Sequence, residues 1–230
     1  MNKELLLEIS YDCNLKCIHC SSMNCDAKLG IDDIPNLDNI SVIRVSGGEP
    51  TLQKDLIEYL KLFKYHNKKV VLQTNGTNQL SNDIIDNIDE IWVSLYGKEA
   101  IHDFITMTQG SFNTTNRFIN KYKKSKYILI QSPIFNMTQT FDIVKIAEQH
   151  EVDIRLSALV NQGRCTFAEK IWKQIWIANE VKRVYPNNNI ILPCSLSNTR
   201  CEFDDKLVIK PDGSLFNCAS HKHGMTLCKK

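Results

Sequence analysis

Leu5-Leu6-Leu7-Glu8-Ile9-Ser10-Tyr11-Asp12-Cys13-Asn14-Leu15-Lys16-Cys17-Ile18-His19-Cys20 is the stretch that decides the fold. It reads as a short strand over Leu5–Ile9 running straight into a loop with three cysteines at C-x3-C-x2-C spacing. Five further runs repeat the strand signal: Val42–Val45, Val70–Leu72, Ile91–Leu95, Ile128–Gln131 and Ile154–Leu156. Helical patterns lie between them, such as Leu56, Leu60 and Phe63, then Ile84 and Ile88 behind a Ser81 cap, then Ile143, Val144 and Ala147. Alternating strand and helix argues for an α/β fold, a parallel sheet with helices outside. Right-handed crossovers then bring every strand-to-helix loop to one end of the sheet, where α/β proteins assemble their sites. The cysteine loop is one of these.

Three thiolates from one loop can hold three irons of a four-iron cubane and leave the fourth open to a small ligand. The competing reading is a zinc knuckle closed by Cys25, although zinc loops generally pair two-residue spacings. The next motif decides between them. Ser46-Gly47-Gly48-Glu49-Pro50 follows the second strand and precedes a helix, about 27 residues after the cysteine loop and at the same end of the sheet. Glycines in that position let backbone approach a ligand closely.

Together these motifs resemble the radical S-adenosylmethionine superfamily, in which a C-x3-C-x-Φ-C loop follows strand one and GGEP follows strand two. Φ is usually aromatic; His19 holds that place here. The resemblance extends through Gln73-Thr74-Asn75-Gly76-Thr77 and Val93-Ser94-Leu95-Tyr96-Gly97, covering roughly residues 4–165. It implies a partial (β/α)6 barrel and a [4Fe-4S] cluster on Cys13, Cys17 and Cys20, whose open iron binds the amino and carboxylate groups of S-adenosyl-L-methionine. It further implies an external electron donor such as flavodoxin or ferredoxin, and a 5′-deoxyadenosyl radical that abstracts a substrate hydrogen in a closed, dry site. By the same resemblance Gly47, Gly48, Glu49 and Pro50 contact the methionine amino group, while Thr74, Asn75, Ser94 and Arg155 lie near the ribose or carboxylate. Each of the last three also has a structural reading: Asn75 as a turn former, Ser94 as a strand residue satisfied by backbone, Arg155 as a partner of an outer helix.

After Arg164 the pattern changes. A helix is expected from about Phe167 to Val184, and the division expected is a barrel over 1–165 and a small unit over 166–230. In the tail, two apolar runs flank Pro211-Asp212-Gly213, a hairpin signal that would bring Cys201 and Cys218 together with Cys194 and Cys228 in reach. This segment is similar to the twitch, or truncated SPASM, appendage of some radical enzymes, which opens with C-x(9–15)-G-x4-C. Cys201, Gly213 and Cys218 fit that spacing, and Gly163-Arg164 looks like the turn that often precedes the appendage. The likeness implies an auxiliary [4Fe-4S] cluster, with Cys194 or a substrate heteroatom as candidate fourth ligand beside Cys228. Zinc held by the cysteines with His221 or His223 is the alternative. Cys25 and Cys165 read as small buried hydrophobes; a sharper reading makes Cys165 a hydrogen-atom donor to a substrate radical.

The rest of the sequence narrows the function. With 230 residues the chain builds one core, with or without a small appendage. A net charge of +2 gives no support for a nucleic-acid partner. No run of eighteen apolar residues occurs and the N-terminal apolar run is too short for a signal peptide, so no membrane partner and a cytoplasmic location are expected. Nine cysteines without an export signal point to metal ligation or catalysis, not to disulfides. Enzymes with such an appendage mostly modify peptide or protein side chains by oxidation, crosslinking or epimerisation. The chain begins directly at strand one, which leaves no residues for a leader-binding domain and keeps radical oxidation of a small polar metabolite, as by an aminocyclitol dehydrogenase, as the alternative. A non-catalytic iron–sulfur electron-transfer or scaffold protein is the reading from another class, against which the GGEP motif argues.

Overall fold

The computed structural model describes residues 3–21, 26–193, 196 and 206–217. Six strands form in the expected places, each reaching a residue or more beyond its apolar run at one or both ends: β1 (Lys3–Glu8), β2 (Ile40–Ser46), β3 (Lys69–Thr74), β4 (Glu90–Ser94), β5 (Tyr127–Pro133) and β6 (Asp153–Ser157). They pair in parallel in sequence order. Three more described strands lengthen the sheet: β7 (Ile190–Ile191) beyond β6, then β8 (Lys206–Ile209) and β9 (Leu215–Asn217) beyond β1.

The helices expected from their apolar spacing are present as α1 (Leu56–Tyr65), α2 (Asn82–Asp86), α5 (Met137–His150) and α6 (Ile171–Val184). α1 buries Leu56, Tyr59, Leu60 and Phe63, one apolar stripe. Ser81 caps α2 by accepting the Ile84 N–H, and Asn136 caps α5 by accepting the Gln139 N–H. α6 starts at Ile171, four residues after Phe167, where the sequence expectation puts its beginning. Two helices carried no sequence expectation, α3 (Glu99–Thr106) and α4 (Ser111–Tyr122), both between β4 and β5.

The strands are two-faced. Leu5, Leu7, Ile43, Val45, Val70, Leu72, Ile91, Val93, Ile128, Ile130, Ile154 and Leu156 join the helices in one continuous core. Successive strand residues point to opposite faces, so the alternate residues form a second face on which Arg44, Gln73, Gln131 and Arg155 join Leu6, Val71, Trp92 and Leu129. Burying one large apolar side chain of the first face contributes roughly 1.5–3 kcal/mol, and that face fixes the register. A one-residue slip would drive Arg44 and Arg155 into the core.

β8 and β9 form the hairpin expected around Pro211-Asp212-Gly213, with Gly213 at φ 76 in the turn. Sequence alone sets this hairpin apart from the barrel; in the structure β8 pairs in parallel with β1, Glu4 opposite Lys206 through Leu7 opposite Ile209. Lys210 pairs with Glu8 at 2.7 Å across that join.

Candidate cluster and cofactor site

At the C-terminal ends of the strands lies a cavity of about 860 Å³. Cys13, Cys17 and Cys20 line it, as do Gly47, Gly48, Thr74, Asn75, Ser94 and Arg155. These residues, expected from sequence to share one site, therefore meet in one cavity, drawn from β2, β3, β4 and β6 or their ends and from the loop after β1.

Ser10–Ser21 is held in place from four sides. The first is the Gly-Gly turn: Gly48 N–H donates to Ser10 O and Glu49 N–H to Asp12 O, each at 2.7 Å. A Cβ on Gly48 would stand 2.2 Å from Asp12 O, and one on Gly47, whose φ is +139, 2.3 Å from Ser10 O. Read from sequence, these glycines give a ligand room; in the structure the backbone they admit is that of the cysteine loop itself. The second support is α3, whose last carbonyls, Thr106 O and Ile105 O, accept the N–H groups of Lys16 (3.3 Å) and Ile18 (2.9 Å). Ile101, Phe104 and Ile105 carry the spacing that would have revealed this helix, although only Ile105 is buried.

The third is a polar bridge from the loop after β3: Asn75 Nδ2 donates to Asn14 Oδ1 (2.9 Å), and Asn14 Nδ2 donates to Thr77 Oγ1 (2.8 Å). Asn75 also accepts the Thr77 N–H through Oδ1, so its turn-forming role is present. The fourth support is the turn after β6. Arg164 donates its backbone N–H to Cys20 O and its Nε to Cys17 O, both at 3.0 Å. Inside the loop, Leu15 and Cys17 pack on Tyr96 and Ile105.

Glu49 and Pro50 are buried and stand behind the cavity wall. The Glu49 carboxylate accepts from Thr51 N–H (3.2 Å), Thr51 Oγ1 (2.6 Å), Thr74 Oγ1 (2.7 Å) and Asn75 N–H (2.7 Å), tying the end of β2 to the end of β3. Burial raises its pKa despite these donors. Thr74 is committed to Glu49 and accepts the Gly76 N–H at 3.1 Å. Ser94 lines the cavity together with Tyr96, whose side chain is buried. The Arg155 guanidinium lies 5.4 Å from the Trp92 ring centroid, with that of Arg44 at 4.9 Å. Sequence reasoning missed this Arg44–Trp92–Arg155 arrangement and the Gln73–Gln131 hydrogen bond of 2.8 Å beside it. Alternation within the strands was the available signal.

His19 packs edge-on against Tyr96 (4.6 Å) and Phe135 (5.1 Å), and burial lowers its pKa to about 4, which makes it a neutral imidazole. Burial pushes the Cys17 thiol up to about 12, with Cys20 and Cys13 adding to the rise, and burial likewise raises Cys13. Among the described residues no three His, Cys, Asp or Glu side chains converge on a single ion. A cubane asks for something else, because each thiolate holds a different iron. Three free thiols on one braced loop facing a cavity fit that donor set.

Cys165 is 1% exposed and is not among the residues lining the cavity. Cys25, Cys194, Cys201, Cys218, Cys228, His221 and His223 lie outside the described residues. None of the described helices is long and apolar enough to cross a membrane.

The chain is similar to a putative glycyl-radical enzyme activating enzyme of Methanocaldococcus jannaschii, at 29% identity over 221 residues, covering 87% of this chain and 84% of that protein. It is 27% identical over 184 residues to the mycofactocin maturase MftC of Mycobacterium tuberculosis and 27% identical over 180 residues to an AdoMet-dependent heme synthase of Methanosarcina barkeri. The homologues support the radical S-adenosylmethionine superfamily. The matches cover 70% and 68% of this chain but only 46% of the maturase and 50% of the heme synthase, about half their length. No family model matches the chain. Among solved structures, Streptococcus suis SuiB bound to precursor peptide SuiA superposes with a TM-score of 0.78 at 16% identity, over 95% of this chain and 60% of that one. anSMEcpe with bound AdoMet and a peptide gives 0.71 at 18% identity, over 94% and 73%. These likenesses show the α/β fold with its parallel sheet.

Proposed function

We propose that this chain is a radical S-adenosylmethionine enzyme that modifies a peptide or protein side chain. The observation that carries it is the single cavity in which the three cysteines of the braced loop meet the ends of β2, β3, β4 and β6. Cys13, Cys17 and Cys20 would hold a [4Fe-4S] cluster, and the cavity beside them has room for S-adenosyl-L-methionine. When bound, cluster and cofactor together supply a 5′-deoxyadenosyl radical able to take a hydrogen atom from the substrate.

The chain's own residues do the rest. Gly47 and Gly48 dock the cysteine loop, Glu49 holds the Thr74–Asn75 corner, and Asn75 binds the loop through Asn14. Ser94 and Arg155 line the far wall, where polar groups of the cofactor would be met. The partial barrel and the division into 1–165 and 166–230 belong to this reading, as does an auxiliary [4Fe-4S] cluster on the tail cysteines. So does an external electron donor of the flavodoxin or ferredoxin kind. Support for a peptide substrate comes from the relatives: one bears the name of a maturase, and two solved neighbours hold peptides.

The polar inner face favours a second reading, oxidation of a small polar metabolite. Arg44, Gln73, Gln131 and Arg155 line the cavity, and a lining with several polar groups suits a hydroxyl-bearing substrate. Deuterium tracing separates the two. A short peptide encoded beside the gene, prepared with deuterated side chains, is expected to pass deuterium into 5′-deoxyadenosine. Transfer from a deuterated polyol and none from the peptide would replace the first reading with the second.

A further inference from the structure

Two of the three cysteine carbonyls in the loop are held by one distant residue. Arg164, 147 positions from Cys17, donates Nε to Cys17 O and its backbone N–H to Cys20 O, both at 3.0 Å. The turn that carries it lies directly on the loop: Gly163 has φ +57, and a Cβ there would stand 2.5 Å from Cys20 O and 2.9 Å from Ser21 Cα. Only glycine fits. The same turn is closed by Cys165 N–H donating to Gln162 O at 3.0 Å, and the Cys165 side chain is buried. Cys165 thus has a structural use that needs no contact with substrate. Arg164 also lines the cavity that Cys13, Cys17 and Cys20 line, so its guanidinium charge stands at the wall of the proposed cluster site.

We infer that Arg164 is a positioning residue for the three-cysteine loop, and that its fixed positive charge makes a cluster held there easier to reduce. The inference rests on the proposed placement of the cluster on Cys13, Cys17 and Cys20. The step concerned is uptake of one electron from an external donor protein; no bond forms or breaks and no proton moves. The cluster and its thiolates become more negative by one charge, so a nearby fixed cation stabilises the reduced state more than the oxidised one. Arginine suits the place better than lysine because its rigid fork aims Nε at the Cys17 carbonyl while the charge stays at the wall of the cavity that the thiols line.

The test uses the full chain, reconstituted anaerobically as wild type, Arg164→Gln and Arg164→Lys, with circular dichroism of each to confirm folding. Electron paramagnetic resonance follows reduction at poised potentials, and a change in signal on adding S-adenosyl-L-methionine marks the cluster with the open iron. The reduced-to-oxidised ratio at a fixed potential is expected to fall about threefold to tenfold in Arg164→Gln, the range for one partly screened charge. Arg164→Lys is expected to restore most of the ratio, yet both variants should surrender iron to a chelator faster than wild type. An unchanged ratio and unchanged chelation rate in Arg164→Gln would overturn the inference, as would a fall that lysine does not restore. A wild-type signal indifferent to S-adenosyl-L-methionine would overturn the proposed function itself, and this inference with it.

Discussion

Glu49 shows how one side chain joins two motifs that lie twenty-five residues apart. Its Oε1 accepts from three donors and its Oε2 from the Asn75 N–H. Glu49→Gln keeps an acceptor at Oε1 and sets an NH2 group against the Asn75 N–H. We expect a loss of about 1–3 kcal/mol in denaturant unfolding, the cost of a buried donor left unmatched. His102 offers a cleaner pH test. It is 1% exposed, accepts the Tyr96 N–H through Nδ1 at 3.2 Å, and burial lowers its pKa to about 4 from an ordinary 6.5. A histidine depressed in this way stabilises the fold fully above the unfolded-state pKa, and the contribution is lost as pH falls from about 6.5 towards 4. The wild type should lose roughly 3 kcal/mol across that interval that His102→Asn does not lose, since the asparagine keeps an acceptor and cannot titrate there. Identical acid unfolding of the two proteins would contradict this. At this scale the cysteines and the GGEP residues were legible because their types and spacing are local. The roles of Arg44, Trp92 and Arg164 were not, since each depends on a neighbour distant in sequence.

At the scale of elements, the apolar face of each strand wrote itself into the sequence, and all six runs became strands. The opposite face was illegible as a site because its polar residues sit singly between apolar ones, Arg44 between Ile43 and Val45 for example. α3 escaped notice for a related reason: Ile101 and Phe104, which complete its apolar spacing, are exposed, at 42% and 65%. Yet α3 and the Gly-Gly turn brace the cysteine loop from two directions. Gly48→Ala would push a methyl group into the Asp12 carbonyl, and we expect it to lower iron retention after reconstitution and cost more than about 2 kcal/mol, as overpacking against backbone does. Gly110→Ala is the control: its Cβ meets nothing within 4 Å, and only its φ of +78 is strained. About 1 kcal/mol and normal iron retention are expected there.

For the whole molecule, the notable feature is the union of the tail hairpin with β1. The turn chemistry of Pro211-Asp212-Gly213 was legible; the parallel pairing with β1 was not, because nothing local specifies a partner some two hundred residues upstream. The Lys210–Glu8 ion pair across that join is largely shielded, with 13% and 17% of the two side chains exposed. Removing either partner strands the other charge, so Glu8→Gln and Lys210→Met are each expected to cost about 1–3 kcal/mol, and the double variant less than their sum. Additive losses would mean that the join is held by backbone pairing alone. The union places the hairpin beside the strand that leads into the cysteine loop.

The central claim is that loop, turn and sheet ends form one site for reductive cleavage of S-adenosyl-L-methionine. Its most direct test is the yield of 5′-deoxyadenosine after anaerobic iron and sulfide reconstitution and reduction with that cofactor, in wild type and in a Cys13/Cys17/Cys20→Ala variant. The account predicts release by the wild type and none by the variant, whatever metal the tail retains. No release from a wild type whose cluster is intact and reduced, or equal release from the variant, would contradict it.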